Sequence, residues 1–147
     1  GVRFVMAGSG DMMNKMIDLV AQRGIADKFH FPGFMRGRQV QEVLADSDVY
    51  IMPSVSEPFG ISPLEAMQVG CPSIISHQSG CAEILSHVIK TDYWDIDAMA
   101  DAIYAIVKYP AMYKSLRELG RDEVNNIKWY DVGLKVRRIY DMVISGC

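Results

Sequence analysis

Near the middle of this 147-residue chain runs the segment Glu57-Pro58-Phe59-Gly60-Ile61-Ser62-Pro63-Leu64-Glu65. Two carboxylates stand at its ends, eight positions apart, and Gly60 lies between them. The apolar run before the segment, Val49-Tyr50-Ile51-Met52, predicts a strand, and residues 64 to 69 predict a short helix that glycine and proline close. The pattern therefore indicates a strand, a loop with an acid at each end, and the start of a helix.

This loop has the chemistry of a site for a sugar–phosphate ligand. The backbone N–H groups of residues 59 to 62 would lack internal partners at a helix N-terminus, where the helix dipole also favours an anion. Gly60 has no Cβ, so the chain can turn sharply there and approach a ligand closely. Carboxylates are poor phosphate ligands, so Glu57 and Glu65 would instead accept hydrogen bonds from sugar hydroxyls. The loop therefore predicts a ligand with sugars on both sides of a phosphate group, as in a sugar nucleotide.

A purely structural explanation of the same segment stands beside this hypothesis. Ser62-Pro63-Leu64-Glu65 is also the pattern of a capping box, with Ser62 as the N-cap and Glu65 reaching back to it. Such a box would stabilise the helix by about 1 kcal/mol and would explain Glu65 without any ligand. Glu57 could then be a solvated loop acid. The segment alone leaves both explanations open.

Strand patterns alternate with helix patterns along the chain, which is typical of a parallel sheet with helices on both faces. We expect strands at residues 2 to 7, 29 to 31, 49 to 52, 72 to 76 and 87 to 90, the first of them covered on both faces. Helices are expected at about residues 11 to 23 and 39 to 45, and three more make the C-terminal segment helical. The fold class that we predict is thus α/β, with a Rossmann-like parallel sheet.

The last predicted helix carries apolar residues, among them Val132, Val136 and Ile139, at three-to-four spacing, so we expect its stripe to lie in the core. The loops that follow the strands should meet at one edge of the sheet, because the carboxyl ends of parallel strands do so.

Composition excludes several classes of function. The net charge of −3 argues against a nucleic-acid binder, which usually has a basic face. Three cysteines without C-x-x-C or zinc spacing fit a reducing, cytoplasmic location. Gly8-Ser9-Gly10 lacks the third glycine of a dinucleotide-binding fingerprint, since Met13 occupies that position. No Asp-x-Asp motif follows a predicted strand, so we expect no metal site.

Several segments of the chain resemble one enzyme family in order and spacing. Glu57 to Glu65 is similar to the E-x7-E signature of retaining glycosyltransferases with the two-domain GT-B fold, the group 1 and glycogen-synthase-like enzymes. The other matching segments are Val5-Met6-Ala7-Gly8-Ser9-Gly10, Phe29-His30-Phe31-Pro32-Gly33-Phe34, Met52-Pro53-Ser54, Gly70-Cys71-Pro72 and Ser79-Gly80-Cys81-Ala82-Glu83-Ile84. The resemblance covers essentially the whole chain. It implies that residues 1 to 147 are the C-terminal, donor-binding half of such an enzyme.

The resemblance implies roles for individual residues. Glu57 would be the catalytic residue at the transferred sugar, and Glu65 would bind the ribose hydroxyls of a nucleotide-diphospho-sugar. The donor-binding set would further contain Phe59, Gly60, Ile61 and Ser62 in the loop, and Gly8, Gly10, Met35 and Arg36 upstream, the last two with Phe34 against the nucleobase. The reaction would need neither a metal nor a cofactor. Ser79 departs from the pattern, because many family members have glycine there.

The resemblance also implies parts that are absent from this sequence. The donor half of the family normally begins with one more strand, whose loop binds the pyrophosphate, and an N-terminal half binds the acceptor. We therefore expect little or no transferase activity from this chain alone. Its partner would be a nucleotide sugar, the acceptor would be a glycan, lipid or small molecule, and the full enzyme could associate peripherally with a membrane. The alternatives are a non-catalytic nucleotide-sugar-binding module and another GT-B enzyme, such as a sugar-nucleotide epimerase.

Overall fold

The computed structural model describes residues 1 to 146, and the chain divides into two compact units. The first unit, Gly1–Glu42, contains strand β1 (Phe4–Ala7), helix α1 (Met13–Gln22), a short 3₁₀ turn (Ala26–Lys28) and strand β2 (Phe29–Gly33). The sequence boundary between the two units, after Glu42, falls within helix α2 (Arg38–Ala45). The two strands and two helices predicted for this part of the chain are therefore present, with ends that differ by a few residues.

The second unit begins at Val43 and contains the remaining elements. They are strand β3 (Tyr50–Met52), helix α3 (Ser62–Gln68), strand β4 (Ser73–Ser76), a 3₁₀ turn (Gly80–Glu83), strand β5 (Ile89–Thr91), and helices α4 (Ile96–Lys108), α5 (Pro110–Asn126) and α6 (Trp129–Ile144). The predicted α/β class with a helical C-terminal segment is confirmed. Within residues 1 to 146, no helix combines the length and the apolar character that crossing a bilayer requires.

All the strand pairs in the described residues are parallel. Strand β1 pairs with β2, and β3, β4 and β5 form a three-stranded sheet in that order. In the second sheet Ile51 lies opposite Ile74, and Ile75 lies opposite Lys90. Because these strands run in the same direction, the loops that follow β3 and β4 leave the same edge of their sheet.

Strand β4 is the centre of the second unit, and every residue in it is buried. Successive side chains on a strand point to opposite faces. Ile75 accordingly belongs to a cluster with Met52, Met67 and Leu85, whereas Ile74 belongs to another with Ala102 and Ile106 of α4. This three-stranded sheet therefore has helices on both faces, as its all-apolar strand pattern predicts.

The expectation that the first strand is covered on both faces is wrong for the described residues. Val5 and Met6 of β1 are 48% and 38% exposed. Helix α1 packs mainly against the 3₁₀ turn that follows it, and β1 has β2 as its single strand neighbour among residues 1 to 146. An apolar run thus predicted the strand correctly without predicting its burial.

The expectation that the stripe of the last helix lies in the core is also wrong. Helix α6 has no buried residue, and Val132, Val136 and Ile139 are all exposed. The spacing of these residues does predict a helix, and the helix is present. Periodicity records which face of a helix is apolar, but it does not record whether another element covers that face.

A carboxylate clamp ties helix α5 to the segment before β5. One oxygen of Glu123 accepts from the backbone N–H of Ser86 at 2.8 Å, and the other accepts from that of His87 at 2.9 Å. The Nδ1 atom of the His87 ring lies 3.1 Å from the second oxygen. Burial acts to raise the pKa of Glu123, but these donors favour the ionised form more strongly, so the pKa is lowered.

This clamp predicts a pH-dependent contribution to stability. Because the folded-state pKa of Glu123 lies below the unfolded value near 4.5, its stabilisation is complete above that value and is lost as the pH falls through the folded-state pKa. Glu123→Gln should therefore lower the free energy of unfolding at pH 7 by about 1.5–3 kcal/mol. The difference in the free energy of unfolding between Glu123→Gln and the wild type should shrink at a pH of about 3.

Urea unfolding at both pH values measures this effect, and Glu118→Gln is the matched control on the same helix. Glu118 is exposed and pairs only loosely with Lys114, at 4.0 Å, so its replacement should change little. Equal destabilisation by both variants, or a difference that does not depend on pH, would contradict the clamp.

Candidate functional site

The loop between β3 and α3 is held in place by the turn that follows β4. The backbone N–H of Gly80 donates to the carbonyl of Glu57 at 2.9 Å, and that of Cys81 donates to the carbonyl of Phe59 at 2.7 Å. A longer bond, 3.4 Å, joins the N–H of Glu57 to the carbonyl of Gln78. Glu57 and Ser79 thereby form an isolated parallel bridge. The two loops predicted to leave one sheet edge are thus hydrogen-bonded to each other.

Two glycines make this close approach feasible. Gly60 has φ +89°, a conformation that side chains strongly disfavour, so the predicted sharp turn is present. A Cβ on Gly60 would lie 2.8 Å from the terminal methyl of Met52 and 3.3 Å from the sulfur of Cys81, so that side of the glycine faces the protein. A Cβ on Gly80 would overlap the carbonyl oxygen of Pro58. Gly80 is therefore needed for the protein's own packing and Gly60 for its backbone conformation, beyond any approach to a ligand.

The capping-box explanation of Glu65 is wrong. The N-cap of α3 is Ile61, and no side chain caps the helix. The hydroxyl of Ser62 lies inside the first turn, where it accepts a 2.7 Å hydrogen bond from the Tyr50 hydroxyl. Burial raises the pKa of Tyr50, which keeps the phenol protonated and able to donate. Glu65 is exposed, and its carboxylate has no hydrogen-bond partner in the part of the chain that the structure describes.

An open cleft of about 710 Å³ lies over this loop. Its size is in the range of small-molecule sites. It brings together six of the residues predicted from the sequence, and it adds two others, Pro58 and Trp129. The six are Glu57, Phe59, Gly60, Ile61, Ser62 and Glu65. Both acids therefore line the same open space, as a ligand with two hydroxyl-bearing parts would require.

The backbone amides of the loop remain available as donors. The N–H groups of Gly60, Ile61 and Ser62 have no acceptor among residues 1 to 146. The N–H of Phe59 makes one long bond, 3.4 Å, to the carboxylate of Glu57. Successive amides without internal partners suit an anionic group, because each N–H can donate to an oxygen of it.

A chain of buried hydroxyls supports the turn that holds the loop. The Ser76 hydroxyl donates to the carbonyl of Ser54 at 2.6 Å, and the hydroxyls of Ser76 and Ser79 are 2.9 Å apart. Ser79 has extended backbone angles, φ −96° and ψ 134°, so it needs no glycine-like freedom. The departure from the family pattern at this position is thus accommodated, because the side chain of Ser79 is buried against Ser76.

The other predicted site residues, Gly8, Gly10, Met35 and Arg36, belong to the first unit. The N–H of Gly8 donates to the carbonyl of Gly33 at 2.8 Å, so the loops after β1 and β2 adjoin each other. In the second of these loops the Arg36 guanidinium lies 4.9 Å from the centre of the exposed Phe34 ring, within the range of a cation–π contact. Met35 is half-buried, and Gly10 is exposed in the first loop.

Sequence reasoning missed Trp129 as a cleft residue. It is the first residue of α6, and the sequence indicated only that a helix begins there. Its partners in the cleft are more than 60 residues earlier in the chain, so no local spacing could have linked them. The one available signal was an aromatic residue at a helix start, three positions before Val132 on the same helix face.

The family of the chain follows from comparison with known proteins. The family model described as glycosyl transferases group 1 matches residues 1–123. The chain belongs to this family. Among curated relatives of this glycosyl transferase chain, the gpi3 subunit of a phosphatidylinositol N-acetylglucosaminyltransferase from Schizosaccharomyces pombe is 31% identical over 98% of the chain and 32% of the relative. An uncharacterised glycosyltransferase of Methanocaldococcus jannaschii is 45% identical over 50% of the chain and 19% of its own length.

Solved structures confirm the fold of this glycosyl transferase chain. A sucrose-phosphate synthase from Thermosynechococcus elongatus has a TM-score of 0.80 at 24% identity, over 97% of this chain and 39% of that one. Anabaena HepE, in complex with UDP-glucose, has a TM-score of 0.80 at 18% identity, over 98% and 41%. The predicted C-terminal half of a GT-B glycosyltransferase is confirmed as the fold. The chain thus spans less than half the length of these relatives.

The contact between Gly80 and Pro58 predicts that Gly80→Ala destabilises the second unit. The added methyl would meet backbone atoms, which cannot rotate away as a flexible side chain can, so we expect a loss of about 1–3 kcal/mol. Urea unfolding should show a lower midpoint at an unchanged slope.

Gly133→Ala is the matched control, because a Cβ at Gly133 meets no atom within 4 Å. It lies inside α6, where alanine favours the helix by up to about 1 kcal/mol, so this variant should be neutral or slightly more stable. If Gly80→Ala matched Gly133→Ala in stability, the close packing of the turn on the loop would be disproved.

Proposed function

We propose that this chain is the donor-binding half of a retaining hexosyltransferase, and that the cleft over residues 57 to 62 binds a nucleotide-diphospho-sugar. One observation carries the proposal: two carboxylates, Glu57 and Glu65, line the same cleft as three backbone amides that have no internal acceptor. The amides offer hydrogen bonds to phosphate oxygens, and the carboxylates accept them from sugar hydroxyls. Without a capping box, the carboxylate of Glu65 makes no hydrogen bond within residues 1 to 146 and contributes to the fold only as an acid in the first turn of α3, which favours a ligand role for it.

Within this proposal each group has one task. Glu65 binds the ribose hydroxyls, and the amides of residues 59 to 62 hold the phosphate next to the transferred sugar. Glu57 is the catalytic residue beside the hydroxyls and the reacting carbon of that sugar. Gly8, Gly10, Met35 and Arg36 of the first unit bind the nucleotide, with the exposed Phe34–Arg36 pair offering a flat surface to the base.

The chemistry that we propose is the breaking of the bond between the sugar carbon and a phosphate oxygen, with a new bond to an acceptor hydroxyl on the same face. Negative charge develops on the leaving phosphate as the first bond breaks. Donors aimed at that oxygen stabilise the transition state more than the ground state, which is what catalysis requires. Amides can do this without a metal or a cofactor. The acceptor hydroxyl gives its proton to an oxygen of the leaving phosphate as the new bond forms. The products are a nucleoside diphosphate and a glycoside whose anomeric configuration matches that of the donor.

UDP is the nucleotide that the relatives support. HepE, whose fold this chain shares, was crystallised with UDP-glucose and with UDP and glucose. The gpi3 relative is a subunit of an N-acetylglucosaminyltransferase, which also transfers a hexose derivative. We therefore propose a UDP-hexose as the donor.

We further propose that this donor half works within a longer, cytoplasmic, two-domain enzyme. The chain spans between 19% and 41% of the lengths of the relatives described above. Strands β1 and β3 each have one neighbour among residues 1 to 146, so each has a free edge that an additional strand could use. The N-terminal half of that enzyme would bind the acceptor. If the acceptor is held in a membrane, the full enzyme would associate with the membrane surface. The isolated chain would have little or no transferase activity.

Calorimetric titration with UDP and UDP-glucose tests the proposed roles of the two acids. Each hydrogen bond to an ionised acid is worth about 1.5–3 kcal/mol, so Glu65→Gln should weaken binding of both ligands by about 10- to 100-fold. Glu57→Gln should weaken binding of UDP-glucose while leaving that of UDP nearly unchanged, because UDP has no hexose. Glu57→Gln should leave thermal stability unchanged, since Glu57 makes only one long hydrogen bond, and Glu65→Gln should lower it only slightly, because it removes an acid from the first turn of α3.

Glu118→Gln is the control here as well, because Glu118 is an exposed acid that does not line the cleft. Unchanged affinity in both cleft variants would count against the roles of the two acids. A wild-type chain that binds neither UDP nor UDP-glucose would count against the donor-binding function itself.

A further inference from the structure

Trp129 lines the cleft together with Glu57 and Glu65, and none of the roles proposed above uses it. Its side chain is 86% exposed. Among residues 1 to 146 its ring has neither an aromatic neighbour nor a cation over it. The other tryptophan, Trp94, instead packs edge-on against Tyr93, with ring centres 4.8 Å apart. The largest apolar side chain of the cleft is therefore free to contact a ligand.

The position of Trp129 is set by helix packing rather than by burial of the indole. Helix α3, which carries Glu65, packs against α5. Helix α5 ends at Asn126, and only two residues separate it from Trp129. The same packing therefore brings an acid and an indole to one cleft. Because α6 has no buried residue, replacing this indole removes no contact from the core.

The combination of an indole with the carboxylate of Glu57 fits a hexose ring. A pyranose has hydroxyls around its edge and C–H groups on its faces, so Glu57 can accept from the edge while a flat aromatic surface covers a face. Ligand sites in general combine aromatic walls with a few polar groups of this kind. A uracil ring fits less well beside Glu57, because its two carbonyl oxygens and the carboxylate are all hydrogen-bond acceptors.

We propose that the indole of Trp129 is the platform on which a hexose ring stacks in this cleft. The inference rests on the proposed function, and it adds a specificity-determining residue to the loop and the two acids. The hexose is either the sugar of the donor or a sugar of the acceptor, and both present the same C–H face. Trp129 has no part in proton transfer or bond breaking, so its contribution is to binding.

The chain offers a direct test, because it contains only two tryptophans. Trp94→Phe leaves Trp129 as the sole indole fluorophore, and Trp129→Phe leaves Trp94 as the matched control. Titration with UDP-glucose should change the emission of the Trp94→Phe protein in a saturable way, whereas UDP alone should change it little. The emission of the Trp129→Phe protein should stay constant with both ligands.

Calorimetry of Trp129→Ala gives an independent measurement. Because Trp129→Ala removes an aromatic contact, it should lower the affinity for UDP-glucose by about three- to tenfold and leave the affinity for UDP unchanged. The melting temperature should not change, since the indole is exposed.

A methyl glucoside added to the UDP-saturated Trp94→Phe protein tests the other source of a hexose. A response to the glycoside in place of UDP-glucose would assign the platform to the acceptor.

The outcomes separate this inference from the proposed function. If UDP-glucose binds with equal affinity to the wild type and Trp129→Ala, and neither sugar alters Trp129 emission, the platform is refuted while donor binding stands. If UDP alone alters the emission as much as UDP-glucose and Trp129→Ala weakens both, the indole stacks on the nucleotide and the hexose assignment is wrong. If the wild type binds neither UDP nor UDP-glucose and ignores the glycoside, both proposals fail.

Discussion

The backbone pairing between residues 57 to 59 and 78 to 81 is the constraint on which the cleft depends. Two short hydrogen bonds, from the amides of Gly80 and Cys81, fix the carbonyls of Glu57 and Phe59. A loop between a strand and a helix would otherwise be free to move, because it lies at the sheet edge with few packing contacts. The pairing uses the carbonyls of Glu57 and Phe59, and the next three residues line the cleft with amides that have no acceptor among residues 1 to 146.

The loop is also continuous with the core of the second unit. Met52 and Cys81, which lie under Gly60, are both members of the buried cluster that includes Ile75. The hydroxyl of Ser62 is bonded to Tyr50, which packs against the same cluster. A change in core volume would therefore move the loop, since well-packed interiors transmit displacement rather than absorb it. Stability and site geometry are coupled here through side chains that touch no ligand.

The sequence predicts the parts of the site that depend on local chemistry. The turn at Gly60, the buried strand β4 and the two acids could all be identified, because glycine, apolar runs and carboxylates have local signatures. The predictions that failed depended on distant partners. The sequence pattern predicts Ser62 as a helix N-cap, but its hydroxyl instead accepts a hydrogen bond from Tyr50, twelve positions earlier. Trp129 joins the cleft only through the packing of α5 on α3, and the exposed stripe of α6 shows that periodicity does not specify a covering partner.

The geometry of the loop before a ligand arrives bears on how tightly the cleft can bind. The amides of residues 60 to 62 already have no acceptor among residues 1 to 146, and the carbonyls just before Gly60 are held by the hydrogen bonds from Gly80 and Cys81. Binding therefore does not have to order this part of the chain, and the entropy of that ordering does not reduce the affinity. The same fixed dipoles can stabilise charge that develops on a leaving group without reorganising as it forms. The close contact of Gly80 with Pro58 therefore matters for the chemistry as well as for the fold. It keeps the loop rigid, so that backbone amides that each bind a phosphate weakly can bind it together.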